Sequence, residues 1–445
     1  MNEFLPAPSP THSTGREAPN RILTILIALM LILLLVKCSG GMSYPAATAT
    51  PSASASGVVT EGGVTPESTP NSNQQLITLW LPPEFDPANG SAAGEILTNR
   101  LAAFEQLYPG VEVQVRIKSL DGAGGLLGSL AVTSAAAPQA LPSLIALPRA
   151  AVEEAALREL IQPVNILSGI MDDPDWYPFA VQLATIQNVT YGIPFTGDMQ
   201  VLAYQSAAQG SLQNWDTILE LNRPIYFAAA DTQPNFTLSL YISAGGLLQD
   251  DMGRPMLEEA PLTSVFQFYN QGAALGVFPS TVIGLQNEGQ VWDLLSRSPD
   301  AFGIVSASSV INRNSADWHV AALPSLGTQP AAIADGWVFC LTETDFSLQP
   351  LAMRLAEFLV DSEFLAQWNE ASGYLSPRPA ALAAWQQDGM FTLFDPILSG
   401  AQATPSLYVL SAYGQNLATA TRQVLQFQTS PQEAAQSLLN QLEVP

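Results

Sequence analysis

Between Leu76 and Ile117 the chain spells out a strand, a helix and a second strand, and this restricts the fold more than any other feature. Leu76-Ile77-Thr78-Leu79-Trp80-Leu81 is a short apolar run halted by Pro82-Pro83, the pattern of a buried strand running into a loop. Leu97, Leu101, Phe104 and Tyr108 then recur at spacings of four, three and four, one apolar stripe of a helix that Pro109-Gly110 ends. Val111 to Ile117 alternates strictly, with its apolar set on one face. Strand, helix and strand in some forty residues make one βαβ unit, so the body is expected to be an α/β fold on a parallel sheet.

Composition narrows the function. The 445 residues suggest two or three domains, and a 47% hydrophobic share supports a large core. Fifteen basic against 39 acidic residues leave a formal charge of −24, and Lys37 and Lys118 are the sole lysines. Such a surface repels polyanions, so nucleic acid is not an expected partner. Two histidines, His12 and His319, cannot build a histidine-rich metal site, and Cys38 and Cys340 are too far apart in sequence to suggest a disulfide framework. No H-E-x-x-H, G-x-S-x-G or P-loop lysine motif is present, and no catalytic role is expected. The stretch Gly122-Ala123-Gly124-Gly125-Leu126-Leu127-Gly128 lacks dinucleotide-binding spacing and reads as a loop entering a small-residue helix, Leu126 to Ala137.

The first 75 residues read as an address and a tether. Residues 1–21 are polar, and the apolar run Ile22 to Val36 is long enough for a secretory signal but short for a full membrane span. Leu35-Val36-Lys37-Cys38-Ser39-Gly40-Gly41 resembles the lipobox of bacterial lipoproteins, which implies acylation at Cys38. Lys37 departs from the small residue usual before that cysteine. Two readings therefore stand for 22–37: a cleaved lipoprotein signal, or an uncleaved anchor with Lys37 reaching the outer interface. Both place the body at the extracytoplasmic face of the membrane. Residues 38–75, rich in Ser, Thr, Ala, Gly and Pro, read as a flexible stalk.

Further along, Leu144-Ile145-Ala146-Leu147 reads as a buried strand, Val152 to Leu160 as a short helix and Val201-Leu202-Ala203-Tyr204 as another strand. A helix is expected from about Pro350 to Val360, capped by Ser347, and another from Asp361 to Gly373. Trp215, Trp368 and Trp385 fall within helical patterns as core residues, and His319 has no evident nucleophile partner and reads as structural.

Several of these segments carry a family resemblance. Phe104-Glu105-Gln106-Leu107-Tyr108-Pro109-Gly110, Tyr191-Gly192-Ile193-Pro194-Phe195-Thr196-Gly197-Asp198, Leu240-Tyr241-Ile242-Ser243-Ala244-Gly245-Gly246, Ala334-Asp335-Gly336-Trp337 and Gly373-Tyr374-Leu375-Ser376-Pro377-Arg378 resemble, in order and spacing over residues 76–443, the sugar-binding, maltose-binding-protein-like solute-binding proteins of ABC importers. One stretch departs: Ala301-Phe302-Gly303-Ile304-Val305-Ser306 lacks the lysine and methionine of the Gly-Lys-Ala-Ala-Met-like sequence common there.

The resemblance implies a two-lobed, type II periplasmic-binding-protein-like α/β fold whose lobes close about hinge segments. Lobe 1 would hold 76–195 and 336–380, lobe 2 would hold 196–335 and 381–445. It further implies capture of a sugar or oligosaccharide and delivery to ABC permease subunits by a monomer that needs no cofactor or metal. A sensory or scaffold ectodomain of the same fold, without transport, is the alternative.

A sugar presents flat C–H faces and a rim of hydroxyls, so its site needs aromatic platforms and hydrogen-bonding side chains at strand ends and hinge crossings. Trp80 and Glu84 stand at and after the first strand's end, and Asp198 follows the hinge-like Ile193-Pro194-Phe195. Trp337 lies where the chain recrosses, Tyr374 follows Gly373, and Tyr241 and the Trp176-Tyr177 pair complete the ligand-binding candidates.

Overall fold

A computed structural model describes residues 75–442 except 123, 206–211, 251, 314–316, 328–331 and 386–389. The amino-terminal region, the apolar run 22–37, Cys38 and the stretch 38–74 lie outside the described residues. Among the described residues no helix is long and apolar enough to cross a membrane.

The fold is α/β and is built on two main sheets. The first is ordered β2 (Val111–Ile117), β1 (Gln75–Leu81), β3 (Leu144–Pro148), β12 (Trp337–Leu341), β6 (Gly192–Pro194). Gln75, counted with the stalk above, opens β1. β1 runs parallel to β2 in unbroken register, from Gln75 opposite Val111 to Leu81 opposite Ile117, and parallel to β3. These are the strands of the βαβ unit. Leu144 to Leu147 are wholly buried, as expected of an apolar strand covered on both faces. β12 joins antiparallel to both β3 and β6.

The second sheet is ordered β13 (Gln402–Ala403), β11 (Ile333–Asp335), β7 (Asp198–Tyr204), β9 (Phe302–Ser306), β8 (Ile225–Tyr226), with β10 (His319–Ala321) also paired to β7. A small hairpin, β4 (Thr185–Ile186) with β5 (Val189–Thr190), precedes β6. His319 is exposed in β10, its ring 5.4 Å from that of Tyr204.

Local chemistry sets the helix ends. Ser91 accepts a hydrogen bond from the Gly94 amide and starts the helix Ala92–Leu107, which buries Leu97, Leu101 and Phe104. Asp361 caps Ser362–Ser372 by accepting from the Phe364 amide, and Gly373 ends that helix at φ 73°, the left-handed conformation that suits glycine. Two expectations need correction. Ser347 does not cap the helix Gln349–Phe358; its hydroxyl donates instead to Asp345 Oδ1 at 2.7 Å, in a turn that Asp345 organises. The helix after β3 spans Arg149–Leu157, earlier than the apolar pattern placed it, and gives way at Glu159, where φ is 57°.

Two hydrophobic cores accompany the sheets. One gathers Phe104, Phe179, Phe195 and Trp368, and runs on past residue 380 to Trp385, Phe394 and Leu398. The other gathers Phe227, Phe266, Tyr269 and Tyr413. Trp215, Trp368 and Trp385 are buried as expected, the last two donating their indole N–H to the Ala93 and Ala366 carbonyls. Cys340 is fully buried in β12, and burial raises its thiol pKa.

The chain passes between the sheets at Phe195–Gly197 and at Gly336. Gly197 exchanges backbone hydrogen bonds with Leu375 at 2.6 and 2.8 Å. A Cβ at Gly336 would lie 2.2 Å from the Thr196 carbonyl oxygen, so the two crossing strands touch backbone to backbone there.

Candidate functional site

Four of the eight candidates converge at this crossing. Pro82 and Pro83 end the ladder of β1 and turn the chain through a short 3-10 segment that seats Phe85 in the core and leaves Glu84 beside it. Phe85 is the hub of an aromatic cluster, with ring centres 5.3 Å from Phe195 and Trp337 and 5.4 Å from Trp368 and Tyr374. Such edge and tilted contacts add to the burial energy of each ring.

Tyr374, positioned by the left-handed Gly373, donates its hydroxyl to the Glu84 carboxylate and accepts from the Trp337 indole. Its backbone N–H closes the helix end on Asn369 O. Glu84 is exposed as a residue, yet its carboxyl end is desolvated against Tyr374, which raises its pKa; the hydrogen bond from Tyr374 opposes that rise. Burial, together with the charges of Glu84 and Asp198, holds the Tyr374 phenol well above its ordinary range. The Trp337 amide donates to Thr196 Oγ1 at 3.0 Å, tying the first residue of β12 to the neighbouring crossing strand.

Asp198 faces this group from the second sheet. It opens β7, opposite Asp335 of β11. Its Oδ1 accepts from the Met199 and Ser308 amides at 2.8 and 3.1 Å, and its Oδ2 accepts from the Ser308 hydroxyl. Part of the residue reaches the surface but its carboxyl is enclosed, and desolvation pushes its pKa up to about 7; the hydrogen bonds from Ser308 and Met199 lower it, and the Glu288 charge adds to the rise.

Behind Asp198 lies a layer that sequence reasoning missed. Glu288 accepts from the Trp292 indole, the Ser306 hydroxyl and the Ser306 amide, each at 3.0 Å. The Arg313 guanidinium lies 3.7 Å over the Trp292 ring. Glu288 also lines a small recess with Gln200, Asp231 and Asn235. The available signal was the departure at 301–306, since Ser306 ends β9 and Ser308 lies in the helix Ala307–Ile311 that follows it.

The remaining four candidates sit elsewhere. Trp80 is buried within β1 with the Lys118 ammonium 4.7 Å from its ring centre. Tyr241 is buried in the second core; its hydroxyl donates to Leu247 O and accepts from the Glu258 amide. Trp176 donates to Ile170 O and carries the Arg378 guanidinium over its ring, while Tyr177 donates to Asp395 Oδ1. Arg378 in turn is ion-paired to Asp173 and Asp175, at 2.6 and 2.9 Å.

None of the eight candidates lines a cavity of about 1060 Å³ between the β4–β5 hairpin and β13, an outer strand of the second sheet. The strand-end cluster is the better candidate for the primary site. It gathers groups from both sheets where open α/β folds place their ligands, beyond strand ends. Among the described residues no group of three or more His, Cys, Asp or Glu side chains is arranged to hold a metal ion. Aromatic rings, two carboxyls and a phenol suit a neutral, hydroxyl-bearing ligand.

Comparison with known proteins agrees with this architecture. No curated protein sequence matches the chain. Among solved structures it is similar to maltose-bound MalE3 of T. maritima (18% identity, TM-score 0.62, covering 83% of this chain and 99% of that one). It is similar as well to the sugar-binding protein MalE of Xanthomonas citri (20%, 0.65, 83% and 96%). A third is the cyclic alpha-maltosyl-1,6-maltose binding protein of Arthrobacter globiformis (12%, 0.68, 83% and 98%). At such identities the likeness is one of fold. The model of the bacterial extracellular solute-binding protein family matches residues 99–392, more than half of the sequence, and the chain belongs to that family.

Proposed function

We propose that the protein is the extracytoplasmic solute-capturing component of an ABC importer, that its solute is a carbohydrate, and that it hands this solute to permease subunits. The observation that carries the reading is the meeting of Trp337 of the first sheet, with Glu84 and Tyr374 beside it, and Asp198 of the second sheet, across the strands that join the two halves. Structural neighbours bound to maltose, maltotriose and maltotetraose support a saccharide.

In this reading the halves are the lobes 76–195 with 336–380 and 196–335 with 381–445, and they part and close about the crossings at Phe195–Gly197 and Gly336. Trp337 is 7% exposed, so opening must bare its ring before a sugar can stack on it. Glu84 and Asp198 then take hydroxyl hydrogen bonds. The body is a monomer held at the membrane through Cys38 or through the apolar run before it.

Thermal unfolding and tryptophan emission, recorded against a panel of oligosaccharides, test this. A ligand for the native state raises the melting temperature. Trp337→Ala is expected to abolish that rise while the protein still unfolds cooperatively. A panel that moves neither signal in the wild type sinks the carbohydrate assignment.

A further inference from the structure

Asn89-Gly90 is the sole Asn-Gly pair in the 445 residues. It stands in the exposed turn that follows Glu84 and Phe85 and leads into the helix Ala92–Leu107. Such a pair is chemically special. Glycine has no side chain to shield its amide nitrogen, which can reach the side-chain carbonyl carbon of the asparagine before it.

The local hydrogen bonds set up that approach. The Asn89 amide donates to the Asp86 carbonyl at 3.2 Å and closes the turn. The Ser91 amide donates to Asn89 Oδ1 at 2.8 Å, which folds the carboxamide back over the peptide bond between residues 89 and 90. The Asn89 Cγ is thereby held beside the nitrogen that would attack it, and groups held in place react faster than free ones. The same Ser91 N–H points at the oxygen on which negative charge grows during the attack, a placement that stabilises an oxyanion.

The attacking group is unrestrained. Among the described residues none accepts a hydrogen bond from the Gly90 amide. Residues 88–92 are exposed, so water and base reach this nitrogen. Gly90 has φ 74° and open space on the side where a Cβ would stand.

We propose that Asn89 is a site of spontaneous covalent modification, and that its isoaspartyl product loosens the ring cluster at the strand ends. The Gly90 nitrogen gives its proton to solvent base and bonds to Asn89 Cγ. The Cγ–Nδ2 bond breaks, and that nitrogen takes up a proton and leaves as ammonia. The succinimide so formed then adds one water. Opening at one carbonyl gives aspartate; opening at the other gives isoaspartate, whose backbone runs through Cβ and Cγ.

The isoaspartyl chain is one backbone carbon longer just ahead of the Ser91 cap. That cap sets the first turn of the helix, where the Ala93 carbonyl accepts the Trp368 indole N–H at 3.1 Å. The Trp368 ring in turn lies 5.4 Å from Phe85, centre to centre. The aspartyl product only adds a negative charge ahead of a helix N-terminus, where such a charge is tolerated. The proposal does not depend on what the strand-end cluster binds.

Peptide mapping by mass spectrometry tests it, on the whole protein kept in warm, mildly alkaline buffer and sampled over several weeks. Position 89 is expected to gain the mass difference between an amide and an acid before any other asparagine does. Asn89→Gln should stop the change, and Gly90→Ala, whose methyl crowds the nitrogen, should slow it by about tenfold. After ion-exchange separation the isoaspartyl form should melt below the unmodified protein, and the aspartyl form level with it. The proposal is overturned if position 89 stays an amide throughout, or if it converts in urea and not in the native protein. Equal melting of all three forms overturns the link to the ring cluster.

Discussion

Asp198 is a carboxyl held where water does not reach it, and its ionisation acts against the fold. Its pKa is raised from 3.8 to about 7, so between those values the folded state binds the proton more tightly than the unfolded chain does. Stability from this group is then fully present below about pH 4, declines as the pH climbs, and is gone above about pH 7. Asp198→Asn keeps an acceptor for the Ser308 and Met199 amides and removes the charge. Urea titrations from pH 4 to 8 should show the wild type losing stability relative to this variant by an amount on the order of a few kcal/mol. Parallel curves for the two proteins would contradict the burial of that carboxyl. Phe85 shows what single residues conceal from sequence reading. After two prolines it reads as loop, yet it is the hub of the rings around Trp337 and Tyr374, because three-dimensional closure brings β12 and the helix Ser362–Ser372 onto it. Tyr241 and Trp176 show the converse: an aromatic ring looks alike in sequence whether it faces a cleft or fills a core.

Among the elements, the crossings bear the tightest constraint. At Gly336 any side chain meets the Thr196 carbonyl at 2.2 Å, with Leu183 Cδ1 at 2.9 Å on the same side. Backbone cannot yield as a flexible side chain does, so Gly336→Ala is expected to cost ~1–3 kcal/mol by denaturant unfolding. A loss below a few tenths would mean that the crossing strands stand farther apart. Strand and helix periods were legible because they repeat: β1 to β3 and the helix at Ala92–Leu107 fall where the apolar spacing puts them. Caps were legible at Asp361 and Gly373, where chemistry is strictly local, and misread at Ser347, where a nearby Asp345 competed for the hydroxyl. The large groove was illegible, since Arg149 and residues 185–188, 247–250 and 402–406 meet only through the fold.

At the scale of the whole molecule, the proposed attachment of the body to the membrane is tested by one number, the intact mass of the mature chain. Loss of residues 1–37 with an acyl increment on Cys38 is expected if the lipobox-like sequence is used; full retention of 1–37 would point to the anchor. The same chemistry fixes the thiol inventory. Cys340 is at 0% exposure inside β12, and its sulfhydryl donates to the Val338 carbonyl. If Cys38 is acylated, thiol-selective dyes meet no accessible cysteine, since Cys340 is buried. In that case a cysteine placed by design beside the strand-end cluster carries a fluorophore at that one position, and the wild-type background serves a reagentless optical sensor.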